Sequence, residues 1–124
     1  MRKQYNRFLQ SFGILTLTVC SGLAAAAEFP AGTFTAGAFT ITFDGAGKFR
    51  LNQGDVMEAE GGYSAKGSQI QLSDKSGPWA CTKAGEQSGS YDWKYENETL
   101  AFSKVADKCD GRSQDLTAQP WKKK

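Results

Sequence analysis

Two cysteines, Cys81 and Cys109, carry the clearest chemistry in this sequence. The chain has three cysteines, and the third, Cys20, lies in the N-terminal export signal described below. In an oxidising compartment the two remaining thiols predict one disulfide, which closes a loop of about 28 residues and stabilises the fold by roughly 3.5 kcal/mol on the chain-entropy model. A metal site or a reactive thiol pair is the other interpretation, but the chain contains no histidine to support it. We therefore predict a structural disulfide and no metal or cofactor.

Charged residues beside Cys109 allow two interpretations. Asp107, Asp110 and Arg112 flank this cysteine. The Arg112 guanidinium could bind the carboxylate of a ligand at the mouth of a barrel, because its planar fork matches that group. Alternatively, Arg112 forms an ion pair with Asp107 and holds the turn beside the disulfide. The ion pair is favoured, because a turn held by a covalent bond commonly recruits such a charge-assisted contact.

Residues that would support catalysis are few. Glu58 and Glu60 lie two apart on one strand, a spacing that can approach the carboxylate separation of glycosidases. Ala59 and Tyr63 belong to the predicted inner face of that strand, so both glutamates are expected on the solvent face. Without histidine there is no Ser-His or Cys-His nucleophile. We predict no catalytic residues and no enzymatic activity.

The N-terminus has the pattern of an export signal. Residues 1–7 carry three basic residues and no acidic one, residues 8–24 are largely apolar, and Ala24–Ala27 supply the small residues of a cleavage site. The apolar stretch is too short and too polar to be a good membrane span. Lipidation of Cys20 is an alternative, but Val19 stands where that processing site has a smaller residue.

Cleavage after Ala27 defines the predicted organisation of the chain. The product would be exported, periplasmic or extracellular, with no stable membrane span. Removing three of the 15 basic residues leaves 12 against 13 acidic ones, so the net charge changes from +2 to −1. This balance argues against nucleic acid as a partner. We assign residues 1–27 to a signal peptide, 28–37 to a lead-in, 38–121 to one β-domain and 122–124 to a basic tail.

Alternation of apolar and polar residues predicts β-strands along the domain. Residues 39–43 alternate phenylalanine or isoleucine with threonine, and residues 91–95 alternate aromatic with charged side chains. Segments 60–74 and 89–104 each run from glycine through an aromatic strand and a turn into another alternating strand. No segment keeps a period of 3.6 residues. We predict an all-β fold, an antiparallel up-and-down barrel of about seven or eight strands with one disulfide; a β-sandwich is the alternative.

Turn residues and polarity predict the connections. Residues 97–98 are expected to form a hairpin turn, and the polar segment Lys83–Ser90 a mobile loop. Asp107–Arg112 is expected to form a compact turn or a single helical turn. Leu116 and Trp121 are expected to form a last strand that closes the structure.

A series of short motifs resembles a group of small exported bacterial proteins with lipocalin-like or avidin-like barrels. The motifs are Gly62-Tyr63, Ile70-Gln-Leu72, Gly77 to Cys81, Ser90-Tyr91-Asp-Trp93, Leu100-Ala-Phe102, Asp107-x-Cys109-x-x-Arg112 and Trp121. The resemblance covers residues 38–121 and implies a fold rather than an activity. The chain is much shorter than true lipocalins and lacks their Gly-x-Trp opening.

The predicted function is binding rather than catalysis. A small barrel holds at most one small ligand, so we predict a module for a small apolar or amphipathic molecule. The candidate ligand-binding residues are Tyr63, Trp79, Tyr91, Trp93 and Arg112. The alternative interpretation, that the aromatic side chains simply form the core, is favoured. The alternative function is an envelope protein-interaction or inhibitor domain, similar to small barrels that block lysozyme-type enzymes, acting through Lys83–Ser90 and Asp44–Lys48.

Overall fold

The structure, a computed structural model, describes residues 28–124, and the predicted signal peptide at residues 1–27 lies outside them. The described chain forms eight strands and one helix. In order these are β1 (Gly32–Ala36), β2 (Phe39–Phe43), β3 (Lys48–Gln53), β4 (Val56–Lys66), β5 (Gln69–Ser76), β6 (Ser88–Glu96), β7 (Thr99–Ala106), α1 (Asp110–Thr117) and β8 (Trp121–Lys123). No helix in this part of the chain is long and apolar enough to cross a membrane.

The strands form a closed barrel in which each is antiparallel to its chain neighbour. The first and last strands complete the circle, with Phe34 of β1 opposite Lys123 of β8. The Lys124 amide then donates to the Thr33 carbonyl at 2.9 Å. The prediction of an all-β up-and-down barrel is therefore confirmed, and the architecture is not a sandwich.

Closure extends the barrel beyond residues 38–121 at both ends. β1 lies within the segment assigned to the lead-in, and β8 includes Lys122 and Lys123 of the segment assigned to the basic tail. A barrel has no free edges only when its terminal strands pair. The pairing of these two short strands with each other leaves only a weak signal in sequence, because the paired residues lie about 90 positions apart.

The antiparallel order places alternate connections at opposite ends of the barrel. Turns 44–47, 67–68 and 97–98 lie at one end, which we call the aromatic end. Turns 37–38 and 54–55 lie at the other end, together with α1. We call it the helix end.

Phe29, just before β1, fills the aromatic end. Its ring meets Phe43 edge to face at 4.8 Å between centroids and Trp93 at 5.2 Å. Tyr63 lies 5.6 Å from the same ring. Large aromatic side chains thus occupy this half of the interior.

Two predictions about local structure are corrected at the helix end. Asp110–Thr117 forms two turns of helix, and Leu116 lies in this helix rather than in a last strand. The helix buries only Arg112 and Leu116, one turn apart. Two positions cannot establish a 3.6-residue period, so the sequence pattern was too short to predict it.

Candidate functional site

The helix end of the barrel contains a cavity of about 230 Å³. Its wall is mostly apolar, formed by Ile41, Phe49, Leu51, Ala59, Leu72 and Leu116. Three charged residues, Asp74, Arg112 and Asp115, line the side next to α1. An apolar cavity of about 150 Å³ is enough to bind benzene. The space at the helix end therefore suits a molecule with one ring and a short polar arm.

Trp79 forms part of the cavity wall and leaves 45% of its surface exposed. Its backbone amide donates to the Glu58 carbonyl at 2.8 Å, and its ring packs edge to face on Phe39 at 5.7 Å. Gly77 allows this approach, because it has a φ of 118° and a Cβ there would collide with the Glu58 carbonyl. Trp79 is thus held at the entrance by contacts of the loop that follows β5.

A bulge on β4 creates the docking point for that loop. Leu51 pairs with Ala59 and Asn52 with Met57, so Glu58 is an extra, unpaired residue. The prediction that Glu58 lies on the solvent face is wrong: it is only 7% exposed. Glu60 does face solvent, where it forms an ion pair with Arg50 at 3.1 Å. The two glutamates therefore do not form a pair on one face.

The guanidinium of Arg112 is surrounded by acceptors. Nε and Nη2 donate to the Asp107 carboxylate at 2.8 and 2.7 Å. Nη2 also donates to the Glu86 carbonyl at 2.8 Å, and Nη1 donates to the Gln87 carbonyl at 3.0 Å. Asp74 Oδ2 lies 3.1 Å from Nη1. Because a guanidinium has five N–H bonds, the four hydrogen bonds use all but one of them, and the remaining N–H belongs to Nη1, the nitrogen beside Asp74.

Tyr91 and Asp107 extend this network into the core. The fully buried Tyr91 hydroxyl donates to Asp107 Oδ2. Burial, together with this carboxylate, raises the pKa of Tyr91. Burial also opposes ionisation of Asp107, but hydrogen bonds from Arg112, Tyr91 and the Cys109 amide outweigh it and hold its pKa below the ordinary value. Burial disfavours the charged form of Arg112, but the negative charges of Asp107 and Asp74 outweigh it and raise the pKa of Arg112.

Asp115 also lines the cavity but is not part of the Arg112 network. Among residues 28–124 its carboxylate makes no hydrogen bond and no ion pair. Burial without a compensating cation raises the pKa of Asp115. The helix places it one turn from Arg112 and Gly111 on the cavity side.

The predicted disulfide is present and joins the two structures that frame the cavity. Cys81 lies in the loop that carries Trp79, and Cys109 is the N-cap of α1, with 6.2 Å between their Cα atoms. The Cys109 sulfur accepts the Arg112 amide at 3.5 Å, and the Cys81 amide donates to Asp74 Oδ2 at 2.8 Å. The covalent bond and the Arg112 network thus hold the same loop and helix together.

The five predicted ligand-binding residues lie in three different places. Trp79 and Arg112 line the cavity. Tyr91 lies in the core, where its hydroxyl is used by Asp107. Tyr63 and Trp93 lie at the aromatic end, where the Tyr63 hydroxyl accepts the Gly45 amide and Trp93 Nε1 donates to the Gly67 carbonyl, both at 3.1 Å.

Two cavity residues, Asp74 and Asp115, were not singled out from sequence. Both stand among polar neighbours, in Ser-Asp-Lys-Ser and Ser-Gln-Asp-Leu, so neither shows a pattern of its own. The ion pair predicted between Asp107 and Arg112 is present at 2.7 Å. Within residues 28–124 no cluster of three or more His, Cys, Asp or Glu side chains is arranged to hold a metal ion.

Comparison with protein-family models, with curated proteins and with solved structures finds no match to this chain.

Proposed function

We propose that this protein is an exported binding module that holds one small apolar or amphipathic molecule in the cavity at the helix end. The observation that carries the proposal is the cavity itself, about 230 Å³ behind the half-exposed ring of Trp79. Protein interiors are ordinarily close-packed, and apolar space left unfilled sacrifices contact energy. A ligand that fills the cavity would restore those contacts.

The contrast between the two ends of the barrel supports this proposal. Phe29 fills the aromatic end although it lies outside the strands. At the helix end the disulfide and the Arg112 network hold the loop and α1 in fixed positions around the cavity. Pre-formed space with a few polar groups at one side is the usual form of a small-molecule site.

The signal-like residues 1–27 and the disulfide support an exported location. A disulfide persists in oxidising compartments, and Cys81–Cys109 is formed between two buried or half-buried residues. We therefore propose the periplasm or the extracellular space as the site of action.

The proposal is tested by titrating the oxidised, isotopically labelled chain 28–124 with one-ring compounds and following amide chemical shifts. We expect saturable shifts around the cavity, with Ala59 and Leu116 among the residues affected. Ala59→Leu places extra carbons in the cavity and should abolish the shifts. Ala101→Leu, the same change on the exposed face of β7, should leave them intact. Absence of saturable binding by any compound to the wild-type protein would refute the proposal.

The inhibitor alternative stays a prediction. Its two loops are held by internal contacts: Asp44 accepts the amides of Ala46 and Lys48 at 2.7 and 2.9 Å, and the Glu86 and Gln87 carbonyls bind Arg112. Capture of an envelope protein that is lost on replacing residues 83–90, combined with no small-molecule binding, would favour it.

A further inference from the structure

We infer that the cavity selects a small primary amine carrying a one-ring apolar body, and disfavours a carboxylate of the same shape. The inference specifies the ligand class for the cavity, so it rests on the proposed function. The basis is the set of hydrogen-bond donors and acceptors on the charged side of the cavity that have no partner within residues 28–124.

Arg112, the cation that lines the cavity, is already engaged by buried partners. Arg112 directs four of its five N–H bonds at Asp107 and at the carbonyls of Glu86 and Gln87, and Nη1, which carries the fifth, lies 3.1 Å from Asp74 Oδ2. Its side chain is only 6% exposed. A carboxylate entering the cavity would have to displace one of these buried partners, and leaving a buried charged group without its partner is costly.

The oxygen atoms on the same side are the groups that remain available. Asp74 uses Oδ2 for Arg112 and for the Cys81 amide, whereas its Oδ1 makes no hydrogen bond within residues 28–124. The Asp115 carboxylate makes none within the same residues. Asp74 and Asp107 together already exceed the single charge of Arg112. Asp115 therefore adds to a local excess of negative charge.

An ammonium group matches this arrangement. It supplies a positive charge and three N–H donors and needs no donor from the protein. It would also place a cation beside the carboxyl of Asp115, whose pKa is raised by burial. The remaining lining residues are apolar, apart from the Trp79 ring at the entrance, whose face attracts cations.

Three compounds of nearly equal shape test the inference: benzylamine, benzyl alcohol and benzoate, each titrated at pH 7 into the oxidised chain 28–124. We expect benzylamine to bind at least about tenfold more tightly than benzoate, the difference expected of one charge-assisted hydrogen bond. Benzyl alcohol should fall between them.

Paired variants locate the selectivity. Asp115→Asn should weaken benzylamine binding about tenfold and leave benzyl alcohol binding unchanged. Asp110→Asn, the same change on the exposed start of the same helix, should change neither. Asp115 has no partner within residues 28–124 to lose, so the Asp115→Asn chain should fold.

The outcomes separate the two proposals. Binding of none of the three compounds refutes the proposed function. Binding of benzoate as tightly as benzylamine, or an equal effect of Asp115→Asn and Asp110→Asn on benzylamine, overturns the amine inference and leaves the binding function standing.

Discussion

At the scale of single residues, Arg112 binds more partners than the sequence motif around it predicted. The motif Asp107-x-Cys109-x-x-Arg112 predicted its ion pair with Asp107. The fold added Asp74 from β5 and two carbonyls from the loop before β6. Arg112 is therefore better described as the anchor of the helix end than as a ligand-binding cation.

Replacing Arg112 with lysine tests this role. Lysine keeps the charge but offers three N–H donors in place of five, so buried acceptors are left unpaired. We expect Arg112→Lys to lower the free energy of unfolding by about 2–4 kcal/mol, measured by urea denaturation. Arg50→Lys, in an exposed ion pair with Glu60, should cost less than about 1 kcal/mol. Equal losses in the two variants would show that Arg112 is not an anchor.

Acid should act on the same network through Asp107. Its folded-state pKa is held below the ordinary value, so the folded protein binds fewer protons than the unfolded chain in the window between the two values. The stability that Asp107 contributes is therefore complete above its unfolded pKa, about 3.9, and is lost as the pH falls through the folded value. We expect unfolding free energy to fall below about pH 4, with a shallower fall in Asp107→Asn. Parallel curves for the two proteins would contradict this.

Asp115 contributes with the opposite sign. Burial raises its pKa, so its ionised form destabilises the folded protein, and lowering the pH through the folded value relieves that cost. Binding sites commonly contain residues that lower the stability of the folded protein, because stability is traded for function there.

At the scale of elements, the disulfide, α1 and the loop after β5 form one unit. The bulge at Glu58 receives the loop, and the disulfide joins the loop to the N-cap of the helix. This unit is the part of the barrel that leaves the cavity open.

Removing the disulfide tests how far the unit depends on it. The double substitution Cys81→Ser and Cys109→Ser retains a capping side chain at the start of α1 and removes only the covalent bond. We expect the free energy of unfolding to fall by about 3.5 kcal/mol. The measurement is urea denaturation of oxidised wild type against the variant. Equal stability, or two free thiols in the purified wild type by mass spectrometry, would contradict the expectation.

At the scale of the whole molecule, closure depends on three residues of β8. Trp121 is fully buried, stands opposite Leu100 of β7 and donates through Nε1 to the Leu116 carbonyl at 3.1 Å. The last strand therefore links the barrel to α1.

Trp121→Ala should destabilise the protein by about 3–5 kcal/mol, because it removes a large buried side chain and a buried hydrogen bond. Lys122→Ala changes the next, exposed residue of the same strand and should cost less than about 0.5 kcal/mol. Thermal and urea unfolding of both variants make the comparison. A Trp121→Ala protein as stable as Lys122→Ala would mean that β8 does not hold the barrel closed.

Much of this molecule follows from local pattern. Period-two alternation and the turn at 97–98 are short-range features that predicted most of the strands and their antiparallel order, and the pair of cysteines predicted the disulfide. The structure confirms the predicted turn: Asn97 and Glu98 both adopt positive φ, 51° and 60°, as a tight two-residue hairpin requires.

The candidate site is a different case. Trp79 and Arg112 line one cavity, whereas Tyr63 and Trp93 lie at the aromatic end. No local pattern in the sequence distinguishes the first pair from the second. Which end a residue occupies depends on its distance from the nearest turn, and which face it occupies on β4 depends on the bulge. One extra residue in a strand shifts the alternation that follows.

Sequence pattern alone was enough to predict the class of fold, the covalent bond and the ion pair beside it. Each depends on residue types a few positions apart or on the pairing of Cys81 with Cys109. Three features required the three-dimensional structure: Phe29 fills one end, Glu58 is buried at the β4 bulge, and Asp74 and Asp115 line a common cavity. These outcomes depend on how eight strands meet around a closed circle, and contacts between residues far apart in the chain leave no local pattern to read.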